Sequence, residues 1–257
     1  MNQGVPLENR DDAAAEASGA DSDSQLTFSI VIPTYNEEES IETTLDAIYE
    51  ASPIPSSSFE IIVADESDDR TPEIIRNLEY PNLRLLRFDE HKGLAASVIE
   101  GFSVSNGTYV GVIDADGQHP PESLFQLLEQ ATTGDHDIVV ASRYIEDGGI
   151  ENWSRFRKLV SVGATAIAQL SLLRGVDVRD PLSGFFIVRR PLLADLTLNP
   201  VGYKILLELL VKADPDSVVE VGYVFRDRAE GTSNLTSSSY IQYLLHVGKL
   251  VSHSLRH

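Results

Sequence analysis

The stretch from Tyr109 to Pro121, Tyr-Val-Gly-Val-Ile-Asp-Ala-Asp-Gly-Gln-His-Pro-Pro, constrains this chain more than any other. Tyr109 to Ile113 is a short apolar run that stops at two acids. Gly117 supplies a turn, and Pro120 and Pro121 introduce a helix, because a helix's first turn has no use for the N–H that proline lacks. Asp114 and Asp116 therefore stand at the carboxyl end of a buried strand. Side chains at i and i+2 of an extended segment point to the same side, so the pair is expected to converge on one cation, with the Gln118 amide oxygen as a third hard ligand. Asp114 to Gly117 equally suit a plain strand cap and turn, and the rest of the chain has to choose.

Strands and helices alternate on both sides of this stretch. Phe28 to Ile32 is a β-branched run ending at Pro33, followed by a helix with Ile41, Leu45 and Ile48 at helical spacing. Phe59 to Ala64 ends at Asp65, and Thr71-Pro72 opens the next helix; Leu83 to Phe88 precedes a helix from Gly93 to Phe102. This pattern predicts an α/β fold whose mostly parallel sheet carries helices on both faces and gathers ligands at the strands' carboxyl ends. Those ends suit a nucleotide. Pro33-Thr-Tyr-Asn-Glu offers an aromatic face and a carboxylate, and Asp65 offers an acceptor for a base or a ribose hydroxyl. No Gly-x-Gly-x-x-Gly follows the first strand and no Gly-Lys-Ser/Thr loop occurs, so phosphate has to be held by metal and arginine.

The charge excludes other partners. Forty Asp and Glu against twenty Lys and Arg give −20, which argues against nucleic acid, whose backbone needs a basic footprint. It suits a halophilic source: at 1 M salt the Debye length is about 3 Å and self-repulsion vanishes. With no cysteine there is neither a disulfide framework nor a thiolate metal site. Residues 1–25 read as a disordered acidic tail without a signal peptide, and no run reaches the roughly 20 apolar residues of a membrane span. The expected location is cytoplasmic.

The second half carries the cations. Asp137 to Ala141 is a strand that delivers Arg143 to the rim of the paired aspartates, although a surface ion pair is an arginine's usual fate in an acidic chain. Arg155, Arg157 and Lys158 form the densest basic cluster, just before a small-residue, apolar helix over Leu159 to Leu173. Such a combination suits anionic headgroups or a phosphate with a greasy tail, and equally a buried helix with a solvated basic start. After the turn at Asp180 to Gly184 come a short strand, a helix in Gly202 to Lys212, and a last strand over Val218 to Phe225. Tyr240 to Leu255 reads as an amphipathic helix rich in basic residues, either a surface anchor or packed on the domain.

From about Phe28 to Tyr243 these segments resemble the family-2 glycosyltransferases of the dolichyl-phosphate mannosyltransferase type. The likeness rests on Ile-Pro-Thr-Tyr-Asn-Glu (32–37), Asp65 with Ser67 to Thr71, Lys92-Gly93-Leu94, the 114–121 run, Ser142-Arg-Tyr, Glu151-Asn-Trp, Arg157-Lys158, Asp180-Pro-Leu-Ser-Gly-Phe-Phe, Gly202-Tyr-Lys-Ile, and Arg228 with Gly231 and Ser233. It implies a GT-A nucleotide-diphospho-sugar transferase fold over residues 26–235, with 236–257 as a C-terminal amphipathic helix. It implies Mg²⁺ or Mn²⁺ held by Asp114, Asp116 and Gln118. By position, Pro33, Tyr35, Glu37, Val63, Asp65, Asp114 and Ala115 would bind the donor, and Arg228 would close over it. Arg143, Arg157 and Ser161 would hold the acceptor phosphate, with Asp114, Asp116 and Arg143 central to catalysis. The implied reaction is inverting transfer of a hexose, mannose first, from GDP-mannose to dolichyl phosphate for protein N-glycosylation, on the cytoplasmic face of the membrane. The alternatives are a UDP-glucose-dependent enzyme and a catalytically inactive nucleotide-sugar-binding subunit, and a membrane-protein partner is a further expectation. The chain departs from the pattern at Ala64, where the family often has a second acid, and at Asn234, where it often has lysine. Both departures leave the donor sugar open.

Overall fold

The computed structural model describes residues 27–153, 155–169, 172, 176–194, 196–199, 204–226, 247–248 and 250–251. The chain order is β1 (Phe28–Thr34), α1 (Ile41–Ala51), β2 (Phe59–Asp65), α2 (Thr71–Asn77), β3 (Leu83–Arg87), α3 (Leu94–Ser103), β4 (Tyr109–Val112) and α4 (Pro121–Thr133). There follow β5 (Ile138–Ser142), β6 (Gly149–Ile150), α5 (Arg155–Gln169), β7 (Phe186–Arg189), α6 (Ile205–Lys212), β8 (Val218–Gly222) and β9 (Val224–Phe225).

Seven strands form one sheet in the order β3-β2-β1-β4-β7-β5-β8. All neighbours are parallel except those of β7, which runs against β4 and β5. The first four strands thus open their carboxyl ends on one edge, as the alternation predicted. β1 and β2 are buried at every residue, as strands covered on both faces must be. Ile30, Ile32, Ile61 and Val63 pack with α1 and α4 on one face. Val31, Ala64 and Val110 pack with Val98 and Phe102 of α3 and with Leu206 and Leu209 of α6 on the other. Adjacent residues serve opposite layers because strand side chains alternate.

Three expected boundaries move. The acids at 114 and 116 do not extend β4, which stops at Val112; they lie in a bend that Gly117 closes with φ +71°. The single strand expected over Val218 to Phe225 breaks at Tyr223 into β8, in the main sheet, and β9, which pairs with β6 in a separate two-stranded sheet. The break follows a close crossing, since a Cβ at Gly222 would lie 2.4 Å from the Glu146 carbonyl oxygen. The helix expected over Leu159 to Leu173 runs instead from Arg155 to Gln169, so the basic cluster forms its first turn. A helix's amino end is already positive, so these cations oppose its macrodipole and do not serve helix stability.

Of the C-terminal segment, the described residues at 247–248 and 250–251 are helical, and Val247 and Leu250 are buried with Ala168, Leu207 and Val211. Those side chains favour packing on the domain over a surface anchor. The acidic tail and the rest of that helix lie outside the described residues. No described helix is long and apolar enough to cross a membrane.

Candidate active site

The ends of β1, β2 and β3 are locked together through Asp65. This carboxylate has no exposed surface. Its Oδ1 accepts from the Thr34 hydroxyl at 2.8 Å and the Ser67 hydroxyl at 2.6 Å, and its Oδ2 accepts from Arg87 Nη1 at 2.8 Å. Asp65 thus holds the scaffold of the rim, and Val63 and Pro33 are buried in it. What faces outward is Tyr35, 40% exposed. Glu37 is partly buried; its N–H donates to the Thr71 hydroxyl at 2.9 Å and its carboxylate accepts from Ser40 at 2.8 Å.

The 114–119 turn is the neighbouring feature. Asp116 Oδ1 accepts from the Gln118 N–H at 3.1 Å, an Asx-type turn that replaces the strand alternation expected from sequence. Asp114 Oδ2 lies 3.2 Å from His119 Nε2, and its side chain is 45% exposed. His119 is buried against Phe185, Tyr223 and Phe225. Ala115 is buried, and its carbonyl accepts from Thr44 at 2.8 Å. The Gln118 amide nitrogen donates to the Arg226 carbonyl at 3.2 Å, and the Arg226 N–H returns a bond to the Gln118 carbonyl at 3.0 Å. That exchange ties Arg226 to the turn, and Arg228 lies outside the described residues.

Arg143 is no surface arginine. Its Nε and Nη2 pair with both oxygens of the fully buried Asp180 at 2.8 Å, and its N–H adds a third bond at 3.0 Å. Burial opposes the guanidinium's charge, but Asp180 outweighs it and raises the Arg143 pKa above its ordinary value. Asp180 lies in the turn ending at Gly184, where a Cβ would stand 3.6 Å from Asp114 Oδ2. The turn therefore joins the arginine to the paired acids. Burial, reinforced by the like charge of Arg143, pushes the Lys204 amine down to about 8. Tyr144 leads on to α5, its hydroxyl 2.8 Å from Ser161 Oγ. Arg157 lies one helical turn before Ser161, with its side chain outside the described residues.

The outer face of α5 is apolar: Leu159, Val162 and Ile167 are 69%, 51% and 36% exposed. From sequence, Asp180 stands in a motif without a role, and His119, Arg87 and Lys204 carry none. The motifs at 114–121, 180–186 and 202–205 signal His119, Asp180 and Lys204, and Arg87 stands in none of them.

A mostly parallel sheet with an acid pair past the central strand and a buried arginine on the same rim is the arrangement of the GT-A fold. The chain matches glycosyl transferase family 2 over residues 29–225 and belongs to that family. It is 41% identical over 229 residues to the dolichol-phosphate mannosyltransferase of Pyrococcus furiosus, covering 88% of this chain and 64% of that one. It thus spans less than two thirds of that relative's length. With the Saccharomyces cerevisiae dolichol-phosphate mannosyltransferase it shares 32% identity over 88% of this chain and 87% of the other. In fold it is similar to glucosyl-3-phosphoglycerate synthase from Mycobacterium tuberculosis, solved with Mn²⁺, UDP and phosphoglyceric acid, with a TM-score of 0.65 at 23% identity over 90% and 80% of the two chains.

Proposed function

We propose that this chain transfers a hexose, mannose first, from a nucleoside-diphosphate sugar to dolichyl phosphate, with inversion at the anomeric carbon. The observation that carries the reading is the Asp180–Gly184 turn, which pairs with Arg143 at one end and approaches Asp114 at the other. The relatives' names supply the acceptor.

The donor set fits a hard divalent cation. Among the described residues no three His, Cys, Asp or Glu close on one point. Two carboxylates plus the Gln118 amide oxygen match the way Mg²⁺ or Mn²⁺ is held when substrate phosphates complete the shell. Bound there, the ion would offset charge on the leaving diphosphate. Tyr35 and Glu37 line the donor side on the scaffold that Asp65 holds, and Arg228 closes over the donor. Arg143, fixed by Asp180, presents a permanently charged guanidinium whose orientation does not vary. Arg157 and Ser161 take the acceptor phosphate. A phosphate monoester is already an anion at neutral pH, so its oxygen attacks the anomeric carbon as the bond to the diphosphate breaks, and no general base is needed. The residues' task is to align two anions and hold them together.

The basic first turn of α5 and the exposed Leu159, Val162 and Ile167 form a surface for an anionic bilayer, against which the acceptor's tail stays in lipid. The chain then acts as a peripheral protein on the cytoplasmic face, with or without a membrane-protein partner, and its acidity marks a halophilic setting. The test is transfer from labelled GDP-mannose and, in parallel, UDP-glucose to dolichyl phosphate in high salt, with and without Mn²⁺. Metal-dependent label in lipid from GDP-mannose is expected. Label from UDP-glucose alone would change the sugar, and no turnover by folded protein would leave an inactive binding subunit.

A further inference from the structure

Three loops meet beside Tyr35 at a residue with no role above. The His91 ring approaches Tyr35 edge to face, with centroids 5.0 Å apart and planes at 82°. His91 Nε2 lies 3.0 Å from Asp68 Oδ2, so the loop after β2 orients the imidazole. That loop is clamped in turn: Asn36 Oδ1 accepts from the N–H groups of Asp68 at 2.8 Å and Asp69 at 3.3 Å. The loop carrying His91 is anchored by Glu66, which accepts from the Gly93 N–H at 3.0 Å and from the Ser97 hydroxyl.

The result is a fixed corner of two rings that remain open, since Tyr35 is 40% exposed and the His91 side chain 53%. Rings serving the core would be hidden, like Phe28 and Phe59. A flat heteroaromatic ligand can stack on one wall of such a corner and meet the other edge-on, the arrangements aromatic groups prefer. Sugars and phosphates have no comparable π face. We propose that the Tyr35–His91 corner takes the nucleobase of the donor, with His91 as its second wall and Asp68 holding the imidazole in place. This inference rests on the donor reading above and adds a base-positioning residue from the loop after β3.

A wall that touches only the base acts on donor affinity and leaves the chemical step alone. The test compares wild type, His91→Ala, His91→Phe and Asp68→Asn by calorimetric titration with GDP and with UDP in Mn²⁺, and by steady-state kinetics. In His91→Ala the nucleotide Kd and donor KM should rise roughly three- to tenfold, the range for one aromatic contact, with kcat and acceptor KM unchanged. His91→Phe, which keeps a flat ring, should recover most of the loss, and Asp68→Asn should show a smaller one. If His91→Ala fails to fold, His91→Leu, of similar bulk without a π face, takes its place. Wild-type affinity in that variant would overturn the inference and leave the donor reading standing. A wild-type protein that binds neither nucleotide would overturn both.

Discussion

The two halves of the rim are built differently. On the half proposed to bind the donor, polar groups from three strand ends and their loops satisfy one another: Asp65 with Thr34, Ser67 and Arg87, Asn36 with Asp68, and Glu66 with Gly93 and Ser97. On the half proposed to bind the acceptor, Arg143 is held by one buried carboxylate, Lys204 is pressed beside it, and α5 exposes apolar side chains behind a basic first turn. A small polar ligand from solution is met by a preorganised cradle, because rigid donors lose little freedom when it binds. In the proposed reaction a lipid phosphate would arrive with its own surface, for which fixed charge and a face that tolerates the bilayer are the matching design. On the proposed reading, the contrast teaches that one rim would serve a dissolved and a membrane-bound substrate by dividing these two designs.

Substitutions should separate the halves. The largest effect is expected between them, where Asp116→Ala should cut transfer by about 10³ or more through loss of the cation, with the melting temperature nearly unchanged. Metal titration of the variant checks it, and metal-dependent turnover near the wild-type rate would remove the acid pair from the reading. Asp180→Ala leaves the buried Arg143 unpaired and should cost about 3–5 kcal/mol of stability as well as activity, measured by denaturant unfolding. A comparable loss in Arg70→Ala, whose pair with Glu38 is exposed, would erase the distinction between buried and surface pairs. Arg157→Ala should raise the acceptor KM about tenfold with little change in donor KM, the worth of one charge-assisted bond. Equal changes in both would end the division of the rim. Leu159→Ser with Val162→Ser should weaken binding to anionic vesicles severalfold while a short, water-soluble acceptor phosphate is used as before.

The smallest effect concerns pH. The Lys204 pKa is lowered to about 8 from 10.5, so the folded state binds fewer protons than the unfolded state between those values, and stability should rise with pH across that window. Its cost is fully present below about pH 8. Lys204→Met should flatten this rise in unfolding curves taken across the window.

Much of this architecture was legible in the residues themselves. Short apolar runs at Phe28, Phe59, Leu83 and Tyr109, each followed by a helical pattern, predict a parallel sheet, since contiguous residues set local geometry. The acids at 114 and 116 and the cations at 155–158 were equally plain, because their spacing is short. The tertiary structure decided what those groups meet. Asp65 finds Thr34 and Arg87, and Arg143 finds Asp180, only when segments separated by 31, 22 and 37 residues close together. The strand that breaks at Tyr223, with its apolar pattern intact, does so because the backbone at 146–148 crosses Gly222. Local periodicity is a property of neighbours along the chain, whereas burial and pairing belong to the closed fold, and the chemistry of this rim depends on the second.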